Sequence, residues 1–226
     1  RHSETLACET QRLGLQGRVV GSHLTSMHSM DNYYVSKLIP LIAEAFADLE
    51  TPLSLYLKLA CASGGGKHSF LLESVVGGER FGRYSFIGLP ARTLLRASAF
   101  RTEVVTDGAL VERDEGNPLR FIERFQERLK PAVAAGLPRF CGGLAGYFGY
   151  DTVRCIEPKL GHVTKTGGLG TPDIQLLLTE EVAVIDNLSG RLYLIVWADP
   201  ARPEAYFNAK KRLADLADKL RYSVAA

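Results

Sequence analysis

Residues 69–88 read SFLLESVVGGERFGRYSFIG. Two apolar runs, about 69–75 and 83–88, flank a break that holds Gly77, Gly78 and Gly82. Short apolar runs bounded by glycine predict strands, not helices. Glu73 and Ser74 close the first run. A carboxylate beside a hydroxyl at a strand end offers a charge for an ammonium and a hydrogen bond for a carboxylate. Those are the two ends of a free amino acid.

Downstream the strands continue, at about 92–98, 101–106 and 109–113. Asp107-Gly108 between the last two is a two-residue hairpin signal. Asn117-Pro118 starts a helix, with Asn as N-cap and Pro at the first helical position. Its apolar stripe is Leu119, Ile122, Phe125 and Leu129, down to about Lys130. Gly136 and Pro138 end that region. The block Gly142 to Tyr150 is strand-like, but Gly142, Gly143, Gly146 and Gly149 weaken a strand unless something packs close to it. Tight sheet packing is expected there, with Tyr147, Phe148 and Tyr150 filling the core. Ile174 to Asp186 and Arg191 to Ala198 form a second hairpin about Asn187 to Gly190. Pro203 opens a last helix lined by Tyr206, Leu213, Leu216 and Leu220.

Upstream, Val35, Leu38, Ile39, Ile42 and Phe46 fall on one helical face, which predicts a helix over 33–49 with a restart at Pro40. Thr51-Pro52 breaks it, and Leu53 to Ala60 alternates as a strand does. Strands meet strands through short turns, and helices come singly. The fold class is therefore α+β, largely antiparallel sheets with flanking helices. Residues 1–29 include His2, His23 and His28 and lack hydrophobic periodicity. They read as a disordered extension or non-native leader, which leaves 30–226 as the folded region.

Composition excludes several functions. A formal net charge of +2 over 226 residues, with no basic run, argues against a nucleic-acid binder. No apolar stretch is long enough for a membrane span. The four cysteines, Cys8, Cys61, Cys141 and Cys155, form no CxxC pair. They read as reduced thiols of a cytoplasmic protein, not as zinc ligands. Gly64-Gly65-Gly66-Lys67-His68-Ser69 is not a phosphate loop, because Cys61 and His68 stand where Gly and Ser/Thr are needed. The glycines of 77–82 likewise fail the dinucleotide pattern. His68 and His162 have no Cys, Asp or Glu at ligand spacing. The acids Asp114, Glu115, Glu180 and Glu181 read as solvated strand or turn ends. No catalytic constellation emerges.

Several separated motifs then occur in the order of one known family. TPLSLYLKLA (Thr51 to Ala60), SFLLES (Ser69 to Ser74), GGERFGRYSFIG (Gly77 to Gly88), FCGGLAGYFGYDTVR (Phe140 to Arg154) and IEP (Ile156 to Pro158) resemble the N-terminal region of anthranilate synthase component I. The resemblance runs from about Thr51 to about Tyr222. It implies a protein that converts chorismate and ammonia or glutamine into anthranilate and pyruvate in L-tryptophan biosynthesis. It also implies Mg2+, feedback inhibition by L-tryptophan, and a glutamine amidotransferase partner, component II.

In that family the chorismate- and Mg2+-binding residues lie in the C-terminal half. This chain is expected to lack that catalytic domain, to hold no catalytic residue and to be inactive alone. The regulatory site carries over onto Leu72, Glu73 and Ser74, with Arg83 as counter-charge for the inhibitor's carboxylate. Leu72 or the RYSFIG strand would then supply an apolar wall for the indole. The resemblance also gives the glycine block of 142–149 a second reading, in which it abuts the active-site domain and transmits the inhibitor signal. Two alternatives remain: the equivalent region of aminodeoxychorismate synthase, and a free-standing amino-acid-binding module.

Overall fold

The computed structural model describes residues 38–47, 50–62, 66–74, 82–129, 131, 137–138, 140–160 and 170–222. The readings of residues 1–29, of the glycine break before Gly82 and of His162 lie outside them. The chain divides into two compact units. One comprises the segments ending at Leu89, Lys130–Gly142 and the segment from Glu180; the other comprises Pro90–Leu129 and Gly143–Thr179.

The first unit is built on a five-stranded antiparallel sheet in the order β1-β10-β9-β3-β2. Its strands are β1 (Ile39–Phe46), β2 (Phe70–Leu72), β3 (Tyr84–Gly88), β9 (Glu181–Asp186) and β10 (Arg191–Ala198). Both faces are covered. On one, Leu55 and Leu59 of helix α1 (Pro52–Tyr56) and its π-helical continuation (Leu57–Cys61), with Leu213 and Leu216 of helix α3 (Ala205–Lys219), pack on Ile87, Ala183, Ile185, Leu192 and Leu194. On the other, Ile42, Val182, Val184 and Ile195 pack with Phe86, Tyr193, Trp197 and Phe140. Arg212 of α3 holds Glu181 of β9 through two bonds of 2.8 Å, so this acid is paired and not simply solvated.

Two sequence expectations fail here for physical reasons. Residues 39–46 are a strand, not a helix. Because the sheet is covered on both sides, Leu41, Ala43 and Ala45 face one core while Ile42 faces the other. The alternation that identifies a strand is thereby erased. Pro40 is tolerated because β1 lies at the sheet edge. Residues 52–61 are helical, not a strand. Thr51 and Ser54 form a reciprocal capping box (Ser54 N to Thr51 Oγ1, 3.0 Å; Thr51 N to Ser54 Oγ, 2.9 Å), and Pro52 takes the first helical turn.

The second unit is a five-stranded antiparallel sheet in the order β6-β5-β4-β8-β7. It comprises β4 (Thr93–Ser98), β5 (Arg101–Thr106), β6 (Ala109–Glu115), β7 (Gly143–Phe148) and β8 (Ile174–Thr179). Asp107 and Gly108 both have positive φ, 52° and 83°, as the hairpin signal requires. Helix α2 (Pro118–Leu129) starts where Asn117 Oδ1 accepts the Leu119 amide at 3.0 Å. It lays Phe121 and Ile122 on Leu95, Ala97, Val104, Ile174 and Leu176. Phe121, off the expected stripe, is 1% exposed.

The run 174–186 is not one strand. It divides at Glu180 into β8 and β9, which belong to different sheets. Gly146 explains part of the glycine block, since a Cβ there would lie 2.0 Å from the Gln175 carbonyl oxygen. The aromatics of that block do not fill a core, however. Tyr147, Phe148 and Tyr150 are exposed, the last at 92%. In the α3 stripe, Ala209 is buried and Tyr206 is exposed.

Candidate functional site

Strand β2 forms one edge of the first sheet, and its register with β3 is Phe70↔Gly88, Leu71↔Ile87 and Leu72↔Phe86. Leu71 packs on the helix-covered core. The next side chain faces the opposite way, so Leu72 lies across from Phe86 and is 56% exposed. Beside it runs a chain of rings. Tyr84 and Phe86 lie 6.2 Å apart, Phe86 meets Phe140 edge-on at 5.6 Å, and Phe140 reaches Phe70 at 6.3 Å.

Beyond Leu72 the ladder continues through side chains. The Ser74 amide donates to Ser85 Oγ at 3.1 Å, and the Ser74 hydroxyl donates to the Tyr84 carbonyl at 2.7 Å. These bonds fix what Ser74 can still do. Its amide and its hydroxyl hydrogen are both used, so Oγ is left as an acceptor. Glu73, between Leu72 and Ser74, is exposed and makes no hydrogen bond or ion pair with another described residue. Glu73 is exposed and Ser74 Oγ keeps open lone pairs, so two consecutive residues offer acceptors of the kind that suits an ammonium group.

Behind this segment lies the turn that joins β9 to β10. Asp186, 2% exposed, accepts from Arg83 Nε at 3.0 Å and Nη2 at 2.7 Å. Its Oδ1 also accepts the amides of Leu188 at 3.1 Å and Ser189 at 3.4 Å. The bond from Arg83 chiefly holds the Asp186 carboxyl down at about 2, against the desolvation that would raise it. The same bond strengthens the protonated form of Arg83, whose guanidinium also lies 4.9 Å from the Tyr84 ring centre. The Asn187 amide donates to the Arg83 carbonyl at 2.8 Å. Asn187 Nδ2 donates to the buried Ser85 Oγ at 3.2 Å and to the Gly82 carbonyl at 3.3 Å.

Of the residues singled out from the sequence, Leu72, Glu73 and Ser74 share one exposed strand end. Arg83 lies nearby with two of its nitrogens on Asp186. Ser85, Asp186 and Asn187 were not anticipated. Asp and Asn in a short turn have a local signature, but nothing local to Asp186 points to Arg83, 103 residues away.

The described residues do not fit a magnesium site. No three His, Cys, Asp or Glu side chains among them come together. The well-placed carboxylates face arginines instead, as in Asp186–Arg83, Glu181–Arg212 and Glu103–Arg113. No described helix is long and apolar enough to cross a membrane.

Comparison with known proteins bears on the origin of this fold. No family model matches the chain. Anthranilate synthase component 1 of Neisseria meningitidis (serogroup C) is 55% identical over 190 residues, covering 83% of this chain and 38% of that protein. The enzyme of Pseudomonas putida is 48% identical over 187 residues, covering 82% and 37%. Among solved structures, anthranilate synthase component I from Streptococcus pneumoniae superposes with a TM-score of 0.50 at 23% identity, over 79% of this chain and 36% of that one. That likeness bears on the fold, two antiparallel five-stranded sheets with few helices. The chain spans less than two fifths of the length of these relatives. Within that span, it is homologous to the N-terminal region of anthranilate synthase component 1.

Proposed function

We propose that this chain is the tryptophan-sensing part of an anthranilate synthase large subunit. The complete protein would convert chorismate and ammonia or glutamine into anthranilate and pyruvate in the cytoplasm. A glutamine amidotransferase, component II, would supply the ammonia. Magnesium and chorismate would be held by a catalytic domain outside this segment. No catalytic step is assigned to the residues described above.

L-Tryptophan is the proposed ligand of Leu72, Glu73, Ser74 and Arg83. The observation that carries this reading is the exposed Glu73 followed directly by Ser74, whose Oγ keeps open lone pairs, just past a strand end at Leu72 beside aromatic rings. Glu73 and Ser74 take the ammonium. Leu72, with Tyr84 and Phe86, provides an apolar wall for the indole. Arg83 can reach the carboxylate through Nη1 and the second hydrogen of Nη2, because Asp186 takes only the Nε hydrogen and one hydrogen of Nη2. Bound tryptophan stabilises one arrangement of the enzyme over the active one, with a coupling of about 1–3 kcal/mol.

The test is anthranilate formation by the full-length protein at increasing L-tryptophan. Glu73→Gln keeps the shape and removes the charge. It should raise the half-inhibiting concentration at least about tenfold, the scale of one charge-assisted hydrogen bond. Ser74→Ala should move it in the same direction. Inhibition that Glu73→Gln leaves unchanged would exclude this site, and an enzyme indifferent to tryptophan would exclude the sensing role.

A further inference from the structure

We infer that Asn187, on the turn between β9 and β10, is a positioning residue for the amino-acid site, holding Ser74 in place through Ser85. This inference rests on the site proposed above and concerns a residue that no ligand need touch. Ser85 is fully buried, and its Oγ accepts two hydrogen bonds: one from the Ser74 amide at 3.1 Å, the other from Asn187 Nδ2 at 3.2 Å. A hydroxyl that accepts twice has both lone pairs engaged, and its orientation is set by both donors. The second hydrogen of Asn187 Nδ2 goes to the Gly82 carbonyl at 3.3 Å, one residue before Arg83. A single carboxamide therefore spans the two sides of the site, the strand end with Glu73 and Ser74 and the approach to Arg83 and Tyr84.

The turn that presents Asn187 is itself held in place. Asp186 takes two backbone amides of the turn on Oδ1 while gripping Arg83. The Asn187 amide closes a further bond onto the Arg83 carbonyl at 2.8 Å. Position 187 is thus fixed by its own backbone, and its exposed side chain can be changed without opening the core. A donor carboxamide is the part that matters. Asp at 187 would fit the turn equally well but has no N–H for Ser85 or Gly82.

The experiment uses the full-length protein and titrates anthranilate formation with L-tryptophan for wild type, Glu73→Gln, Asn187→Ala, Asn187→Asp and Leu188→Ala. Leu188 is an exposed neighbour whose side chain joins neither hydrophobic cluster of this sheet among the described residues. Asn187→Ala should raise the half-inhibiting concentration roughly fivefold, the scale of one net hydrogen bond. Asn187→Asp should raise it at least as much, and Leu188→Ala should leave it alone. Melting temperatures without tryptophan provide the structural control. If Asn187→Ala lowers the melting temperature but half-inhibition stays at its wild-type value, Asn187 only braces the turn and the inference fails. If Glu73→Gln relaxes inhibition while both Asn187 variants do not, the inference fails and the site stands. If wild type ignores tryptophan, or Glu73→Gln has no effect, the site itself falls and the inference with it.

Discussion

The two units use the same number of antiparallel strands and solve opposite problems. In the first, apolar side chains cover both faces of the sheet, so β9 runs Val182-Ala183-Val184-Ile185 with every residue buried. In the second, one face carries Leu95, Ala97, Val104, Ile174 and Leu176 under α2, while a polar row crosses all five strands on the other. That row is Tyr147↔Gln175↔Arg96↔Glu103↔Arg113. A sheet covered on both sides tolerates an isolated carboxylate poorly, and Asp186, buried in it, has both oxygens bonded. A sheet with a polar face can carry its charges in half-exposed clusters. The candidate site lies at the edge of the first kind of sheet, where the apolar covering ends at Leu72 and Glu73.

The comparison breaks most readily at Phe121. Among the described residues, α2 is the helix that packs on the core of the second sheet, and its Phe121 is 1% exposed. Phe121→Ala should cost about 3–5 kcal/mol, transfer and cavity terms together. Its guanidinium neighbour, Arg128, also loses a ring 5.6 Å away. Urea denaturation of this chain measures the loss. A cost below about 1 kcal/mol would mean that α2 is not what covers this sheet.

A smaller effect is expected at Asp186, and it carries a pH signature. Its folded carboxyl titrates at about 2, below the value of about 3.9 for an unfolded Asp. A group held below its unfolded value adds stability above the unfolded pKa and loses it as pH falls through the folded one. The contribution should be full above about pH 5 and vanish only by about pH 1, below both pKa values. Arg83 is 38% exposed, which weakens the pair, so about 2 kcal/mol is expected at neutral pH. Asp186→Asn should remove that amount and flatten the acid limb of stability against pH. If the acid limb is unchanged, Asp186 is not the titrating group.

The same contrast accounts for what could be read from sequence. In the second unit, β4 alternates buried and less buried positions along TLLRAS, and β5 and β6 join through Asp107-Gly108. All three strands were legible there. In the first unit, burial on both faces removed the alternation from Ile39–Phe46, and apolar spacing alone then fitted a helix. The Thr51-Pro52 cap was legible in principle, by the rule that located Asn117-Pro118, but the alternation of 53–60 masked it. Within the site, Leu72, Glu73 and Ser74 were readable because they are contiguous. Ser85 and Asn187 act through bonds between segments 102 residues apart, and no local spacing encodes these.

The smallest effect belongs to the polar face of the second sheet. Glu103 there meets Arg96 and Arg113 at 2.9 Å and Arg101 at 3.7 Å, and each arginine is about half exposed. The bond from Arg96 chiefly lowers the Glu103 carboxyl from its usual range, so this cluster also contributes above the normal carboxylate pKa and fades in acid. It differs from Asp186 in its surroundings. Three arginines share one acid, which is itself mostly covered, but each arginine is open to water, and salt screens charges so placed. Glu103→Gln should therefore shift the urea midpoint less than Asp186→Asn does. The residual shift should disappear at about 1 M NaCl, where the screening length falls to about 3 Å, while that of Asp186→Asn largely persists. Equal salt sensitivity in the two variants would mean that Asp186 is no more shielded than Glu103, and the contrast between the two sheets would not extend to their charges.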